Sequence, residues 1–279
     1  MGRFLQAFRR LFSGALFLLL LFYVSGGISH LYGFDPSVLS RIQLVPALLA
    51  GSFGVVACIA FFTVIFGRWY CSFLCPLGIW QDILARLRKK KFTKIRKVTG
   101  LIRYCILVLC IASVIGGASL VLLLVDPWSV FGRLTTTFVL PVVTFINNLL
   151  ASAFNYFGLY GVVAKKYNFA GISVFTIAVI SLAFLGYFIF FSGPRFWCTT
   201  LCPVGTVLSW LAKKSLVRVQ IDQQKCVSCG LCEKHCKTGV ITLKTKQVDN
   251  GDCVACFNCL PVCQYDAISY GFSGKGKST

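Results

Sequence analysis

The sequence predicts an α-helical polytopic membrane protein, with four transmembrane helices arranged as two repeated hairpins and a small α+β domain at the C-terminus. Three observations predict it. Apolar residues make up 57% of the 279 residues, and mean hydropathy is +0.79, well beyond a soluble domain. Four apolar runs, residues 11–28, 44–66, 101–125 and 169–191, are each long enough to cross a bilayer. Of 15 cysteines, eight fall between positions 226 and 263 in a strict double register. The chain therefore divides into a membrane domain, 1–212, and a cysteine-rich tail, 213–279.

Arg3, Arg9 and Arg10 precede the first apolar run and hold the N-terminus in the cytoplasm. No A-x-A cleavage pattern follows, and more spans do, so the run reads as a retained helix rather than a signal peptide. Gly26, Gly27, His30, Gly33 and Asp35-Pro36 form a short outer loop. The second span ends at a cysteine motif and then at a basic stretch, Arg86, Arg88, Lys89, Lys90, Lys91, Lys94, Arg96, Lys97 and Arg103. Retained basic loops place this side in the cytoplasm. They also account for the net charge of +20 without invoking nucleic acid. The third span leaves the membrane at Asp126-Pro127-Trp128. Residues 138–154 are apolar but carry Pro141 and Asn147-Asn148, so an interfacial or re-entrant piece is expected there.

Each half ends its hairpin in the same motif, R-x-x-C-x3-C-P-x-G. Arg68, Cys71, Cys75 and Gly78 match Arg195, Cys198, Cys202 and Gly205. Repeats of this kind bring equivalent sites together about a pseudo-axis. Cysteines at i and i+4 on a helix share a face, Pro76 and Pro203 stop the helix, and the arginines would favour thiolate. Three roles stay open: one four-thiolate metal site, two thiol/disulfide couples, or structural helix ends. Cys58, Cys105 and Cys110 follow no pattern and read as small buried apolar residues rather than ligands.

In the tail, Cys226, Cys229, Cys232 and Cys236 form a C-x2-C-x2-C-x3-C run, and Cys253, Cys256, Cys259 and Cys263 repeat it 27 residues later. Iron–sulfur chemistry accounts for this spacing. Three close thiolates wrap a cubane from one loop, and the fourth cysteine reaches the other cluster. Cys226, Cys229, Cys232 and Cys263 are therefore assigned to one [4Fe–4S] cluster, and Cys253, Cys256, Cys259 and Cys236 to the second. Zinc sites pair C-x2-C units across a longer gap. A β-like segment follows each run, at 240–243 and 267–270. His235 stands beside Cys236, placed to tune the nearby cluster.

The tail resembles a bacterial two-cluster ferredoxin domain. It departs at Lys237 and Gln264, where proline usually follows the fourth cysteine. Over nearly the whole chain, the hairpins, paired C-x3-C-P motifs and double-cluster tail resemble the NapH-type ferredoxin family, the membrane component of a quinol dehydrogenase serving periplasmic nitrate reductase. The NosR, MauN and CcoG groups share this polyferredoxin core. The resemblance implies a non-catalytic electron carrier in the bacterial cytoplasmic (inner) membrane, with both termini cytoplasmic. It would pass electrons from the quinone pool to a partner ferredoxin or cytochrome feeding a terminal reductase. The CcoG side implies an alternative, a maturation factor reducing a metal or disulfide in a client enzyme. A quinol site needs a proton acceptor and a hydrogen-bond partner at a span end, which His30 and Asp35 supply. Two histidines and no C-x-x-C-H exclude c-type haem, and the lack of a Gly-rich nucleotide motif argues against NAD(P)H or ATP chemistry.

Overall fold

The computed structural model describes residues 2–24, 41–87, 100–117, 120–156 and 171–272. His30, Asp35 and the basic positions 88–97 lie outside these residues. Helix α1 (Gly2–Val24) is followed by α2 (Leu44–Leu49) and α3 (Phe53–Phe66), then by a single turn, α4 (Tyr70–Phe73), and by α5 (Pro76–Leu87). The second half comprises α6 (Gly100–Ile115), α7 (Leu120–Val125), α8 (Pro127–Tyr156), α9 (Ile172–Phe191) and α10 (Pro203–Ala212).

Among the described residues, three helices, α1, α8 and α9, are long and apolar enough to cross a membrane. This corrects the expected four spans in two places. The run 44–66 breaks at Gly51, where φ is +70°, and α2 and α3 pack against each other. Tyr70 Oη donates to Gln43 Oε1 at 2.7 Å and accepts from Leu44 N–H at 3.2 Å. Both ends of the run therefore meet near Tyr70, which a straight helix rising about 1.5 Å per residue could not do. The run 101–125 breaks at Gly117, φ +75°. Arg103 at its start donates to Ser209 Oγ at 3.4 Å, and Val125 at its end accepts from Trp197 Nε1 at 3.4 Å. Both runs are helical hairpins that turn back.

Residues 138–154, expected to be an interfacial or re-entrant piece, lie instead inside the continuous helix α8. A π turn at Thr135–Val139 explains how Pro141 is accommodated. Leu140 N–H bonds the Thr135 carbonyl, so the ladder is already offset where proline lacks its donor. Val142, Phe145, Ile146 and Leu149 face outward, as on a lipid-facing helix. Where α7 ends, Arg133 Nη2 donates to the Leu123 and Leu124 carbonyls at 3.0 and 3.2 Å. Asp126 caps α8 through Ser129 N–H at 2.9 Å. Backbone groups released by a turn in an apolar layer need such partners.

The halves exchange contacts. Helix α3, before the first motif, packs on α10, after the second, and α9 packs on α5 in the same way. The tail is α+β: β1 (Val217–Ile221) pairs antiparallel with β4 (Ile268–Phe272), Val217 opposite Phe272. Strands β2 (Ile241–Thr242) and β3 (Gln247–Val248) form a second pair, after the short helix α11 (Leu231–His235). The tail docks on carbonyls that α3 leaves free: Leu216 N–H donates to Val64 and Tyr270 Oη to Phe66, at 3.0 and 2.9 Å. Gln6 of α1 donates to Asn258 at 2.8 Å, so the start of α1 lies beside the tail.

Candidate metal centres

Each cysteine run forms a loop with left-handed residues at matching positions. They are Ser228 (φ 56°) and Gly230 (φ 82°) in the first, and Ala255 (φ 47°) and Phe257 (φ 57°) in the second. Left-handed turns of this kind can gather backbone N–H groups into a nest for an anion, as at many Fe–S sites. Holding bulky Phe257 in this region costs about 1–3 kcal/mol, strain of a kind that persists where the surroundings impose it. Cys226, Cys229, Cys232 and Cys263 line a single pocket. Cys236, Cys253, Cys256 and Cys259 form the second set. Burial pushes the Cys253 thiol up to about 12, and Cys256 and Cys236 add to the shift. Cys259 is raised by burial and then by Cys256, Cys253 and Cys236. Thiols crowded this way cannot all ionise alone, and iron cations relieve that repulsion, so the second set fits a [4Fe–4S] cluster, while the first set offers four thiols around one pocket. Among the described residues, no three Cys, His, Asp or Glu side chains close on a single metal ion. A cubane asks for a wider set, one thiolate for each of four irons.

The two C-x3-C-P motifs come together. Cys71, Cys75, Cys198 and Cys202 are all buried, and Cys71, Cys75 and Cys202 share a core with Val254 and Cys256 of the tail. The cysteine pairs do not share the face of a regular helix, as the spacing suggested. Cys75 N–H bonds the Tyr70 carbonyl and Cys202 N–H the Trp197 carbonyl, at 3.0 and 2.9 Å, each closing a wide i to i−5 turn. Cys202 then caps α10, its Sγ accepting from Gly205 N–H at 3.3 Å.

The arginines cross between repeats. Arg68 Nη2 donates to the Cys198 carbonyl and Arg195 Nη1 to the Cys71 carbonyl, both at 2.7 Å. Each side chain is 0% exposed. This explains the motif's glycine. A Cβ on Gly78 would overlap the Cys71 carbonyl and the Arg195 guanidinium, and one on Gly205 the Cys198 carbonyl and Arg68. Arg68 Nη2 donates to Cys71 Sγ at 3.9 Å, and burial dominates at the other three motif cysteines. Burial pushes Cys75 and Cys202 well up, and it raises Cys198 although Arg195 and Arg68 pull the other way.

Two carboxylates tie this site to the tail. Asp82 accepts from Arg195 Nε and Nη2 at 3.0 and 2.8 Å, from Arg9 at 3.1 Å and from Lys237 at 2.9 Å. Burial alone would raise its pKa, but Arg195, Lys237 and Arg9 hold it far below the usual carboxylate range. Asp252 accepts from Arg103 at 2.8 and 2.6 Å, from Arg68 at 3.3 Å and from Ser209 at 2.9 Å. Burial opposes its ionisation too, and the Arg103 bonds, with Arg68, outweigh it. Sequence reasoning missed Asp252, Gln81 (whose Nε2 donates to Cys198 Sγ at 3.4 Å) and the reach of Lys237. One signal was present: Asp82 is one of only three acids before the tail, alongside Asp35 and Asp126. His235 Nδ1 donates to the Leu231 carbonyl at 2.8 Å. Cys58 and Cys105 are exposed, not buried, and Cys110 is buried.

A family model described as a 4Fe-4S binding domain matches residues 47–95 and 169–221, one motif in each segment. A second 4Fe-4S binding model matches 219–242, over the first tail run. Motifs, tail and apolar helices together define a membrane-associated iron–sulfur protein of the electron-transport class. The chain is similar to the ferredoxin-type proteins of the NapH and MauN kind. It is 30% identical to the methylamine utilization ferredoxin-type protein MauN of Methylorubrum extorquens, over 72% of this chain and 59% of the relative. It is 29% identical to the ferredoxin-type protein NapH of Haemophilus influenzae, over 66% and 52%. An uncharacterized protein of Methanocaldococcus jannaschii is 28% identical over 95% of this chain and 87% of its own length. The chain thus spans little more than half of the MauN and NapH relatives. No solved structure matches.

Proposed function

We propose that this chain is a non-catalytic electron carrier of the cytoplasmic (inner) membrane. It accepts electrons from quinol and passes them to a partner ferredoxin or cytochrome feeding a terminal reductase such as periplasmic nitrate reductase. Cys226, Cys229, Cys232 and Cys263 would hold one [4Fe–4S] cluster, Cys253, Cys256, Cys259 and Cys236 a second, and Cys71, Cys75, Cys198 and Cys202 a third metal centre. Such clusters supply one-electron carriage. The observation that carries the reading is the shared core: three cysteines of the paired motifs lie in one buried cluster with Cys256 of the tail, which would set the proposed metal sites side by side.

Apolar packing and the buried Arg68 and Arg195 surround the paired-motif cysteines. An apolar cavity of about 340 Å³, lined by Leu48, Cys110, Leu122, Pro203 and Val204, abuts the second motif and suits a lipid-soluble donor. The bonding of α1 to the tail favours both termini on one side, the cytoplasm by the charge bias. The maturation reading needs thiols that a client can reach, and burial of the four motif cysteines weighs against it. Protein purified without oxygen should carry more iron and sulfide than two cubanes require, and a reduced quinone analogue should reduce it. Intact clusters that exchange no electrons with quinone analogues would overturn the proposal.

A further inference from the structure

The two cysteine runs match in spacing and differ in burial. Val254, Ala255, Cys256, Phe257, Cys259 and Leu260 of the second run are buried, while Val227, Ser228 and Cys229 of the first are exposed. The flanks differ as well. Lys237 follows Cys236 and Asp252 precedes Cys253, both next to a cysteine of the second set; the equivalents 27 residues away, Gln264 and Lys225, are exposed. Lys237 Nζ lies 2.9 Å from Asp82, which also holds Arg195, and Asp252 lies 3.3 Å from Arg68.

Deepening the function proposed above, we propose that Lys237 and Asp252 are positioning residues. They seat the second cysteine set against the paired motifs and leave the first set on the outer side of the tail. The latches have opposite polarity, a cation reaching Asp82 and an anion reaching Arg68. Two attachments fix an orientation where one permits pivoting. The first run cannot take this seat, because Lys225 would meet Arg68 as a like charge and Gln264 would leave Asp82 one cation short. The departure from proline at position 237 thereby gains a physical reason: proline has no charge to offer Asp82.

The test is amide hydrogen exchange of residues 252–260 in the full-length protein in detergent, with iron content measured alongside. Lys237→Met and Asp252→Asn should raise exchange there about tenfold or more, as expected for loss of a buried ion pair. Lys237→Arg should restore protection, and Lys225→Met and Gln264→Met should leave it unchanged. Unchanged exchange in both latch variants, or an equal rise in the two controls, overturns the proposal. If Lys237→Met loses its iron outright, failure of Lys237→Arg to recover iron and protection overturns it instead. Exchange is readable whatever iron the motif cysteines hold, so a wild-type protein without that third centre defeats part of the proposed function and leaves this test standing.

Discussion

The Arg68 guanidinium donates to the Cys198 carbonyl at 2.7 Å across 130 residues of chain, and Arg195 does the same for Cys71. Each repeat therefore holds the first cysteine of the other. Arginine's planar fork lets Arg68 reach Asp252 as well, which the single point charge of lysine cannot match. Arg68→Met and Arg195→Met should each destabilise by about 3–5 kcal/mol, the cost of breaking a buried pair. Thermal unfolding in detergent reads this, and a wild-type midpoint in either variant would contradict the interlock.

Close approach at the motif glycines gives a second expectation. Gly78→Ala and Gly205→Ala each force a methyl group into a carbonyl and a guanidinium. Overpacking of this kind costs about 1–3 kcal/mol. Gly14→Ala, with nothing within 4 Å, is the control and should match wild type. Equal folded yields for all three would remove the steric account of the motif.

The Asp82 hub predicts a pH dependence. Its folded pKa lies below the ordinary 3.8 because three cations outweigh burial. A depressed acid contributes stability that is fully present above the unfolded value and is lost as pH falls through the folded one. The stability gap between wild type and Asp82→Asn should stay constant from neutral down to about pH 4 and narrow only below it. Its value should be several kcal/mol, since the variant strands Arg9, Arg195 and Lys237. A gap already closing near neutrality would mean that the carboxylate is not held this way.

The grouping of the tail cysteines predicts crossed losses. Cys263→Ser should abolish the same cluster signal as Cys226→Ser, and Cys236→Ser the same as Cys253→Ser, in anaerobic EPR. Loss paired within each run, Cys236 with Cys226, would show that the pocket grouping is not the ligation.

Several features were legible before any coordinates. The doubled R-x-x-C-x3-C-P-x-G predicted that the motifs would meet, as they do in the buried core. Hydropathy found every apolar stretch but misjudged which of them run straight. It counts length and is blind to direction, and single left-handed residues, Gly51 and Gly117, decide that two stretches turn back. Pro141 misled in the opposite sense, because the π turn that accommodates it leaves no composition signature.

The sequence by itself determined the chemistry on offer: eight tail thiols in cubane register, four more in paired motifs, and an apolar body to carry them. Such properties are local, set by spacing along a connected backbone. Tertiary structure decided the rest: that the arginines cross, that Asp82 and Asp252 gather the buried cations, and that the second run faces inward while its twin faces out. Pairings between residues more than a hundred positions apart depend on how helices pack in three dimensions, and no spacing rule along the chain records that.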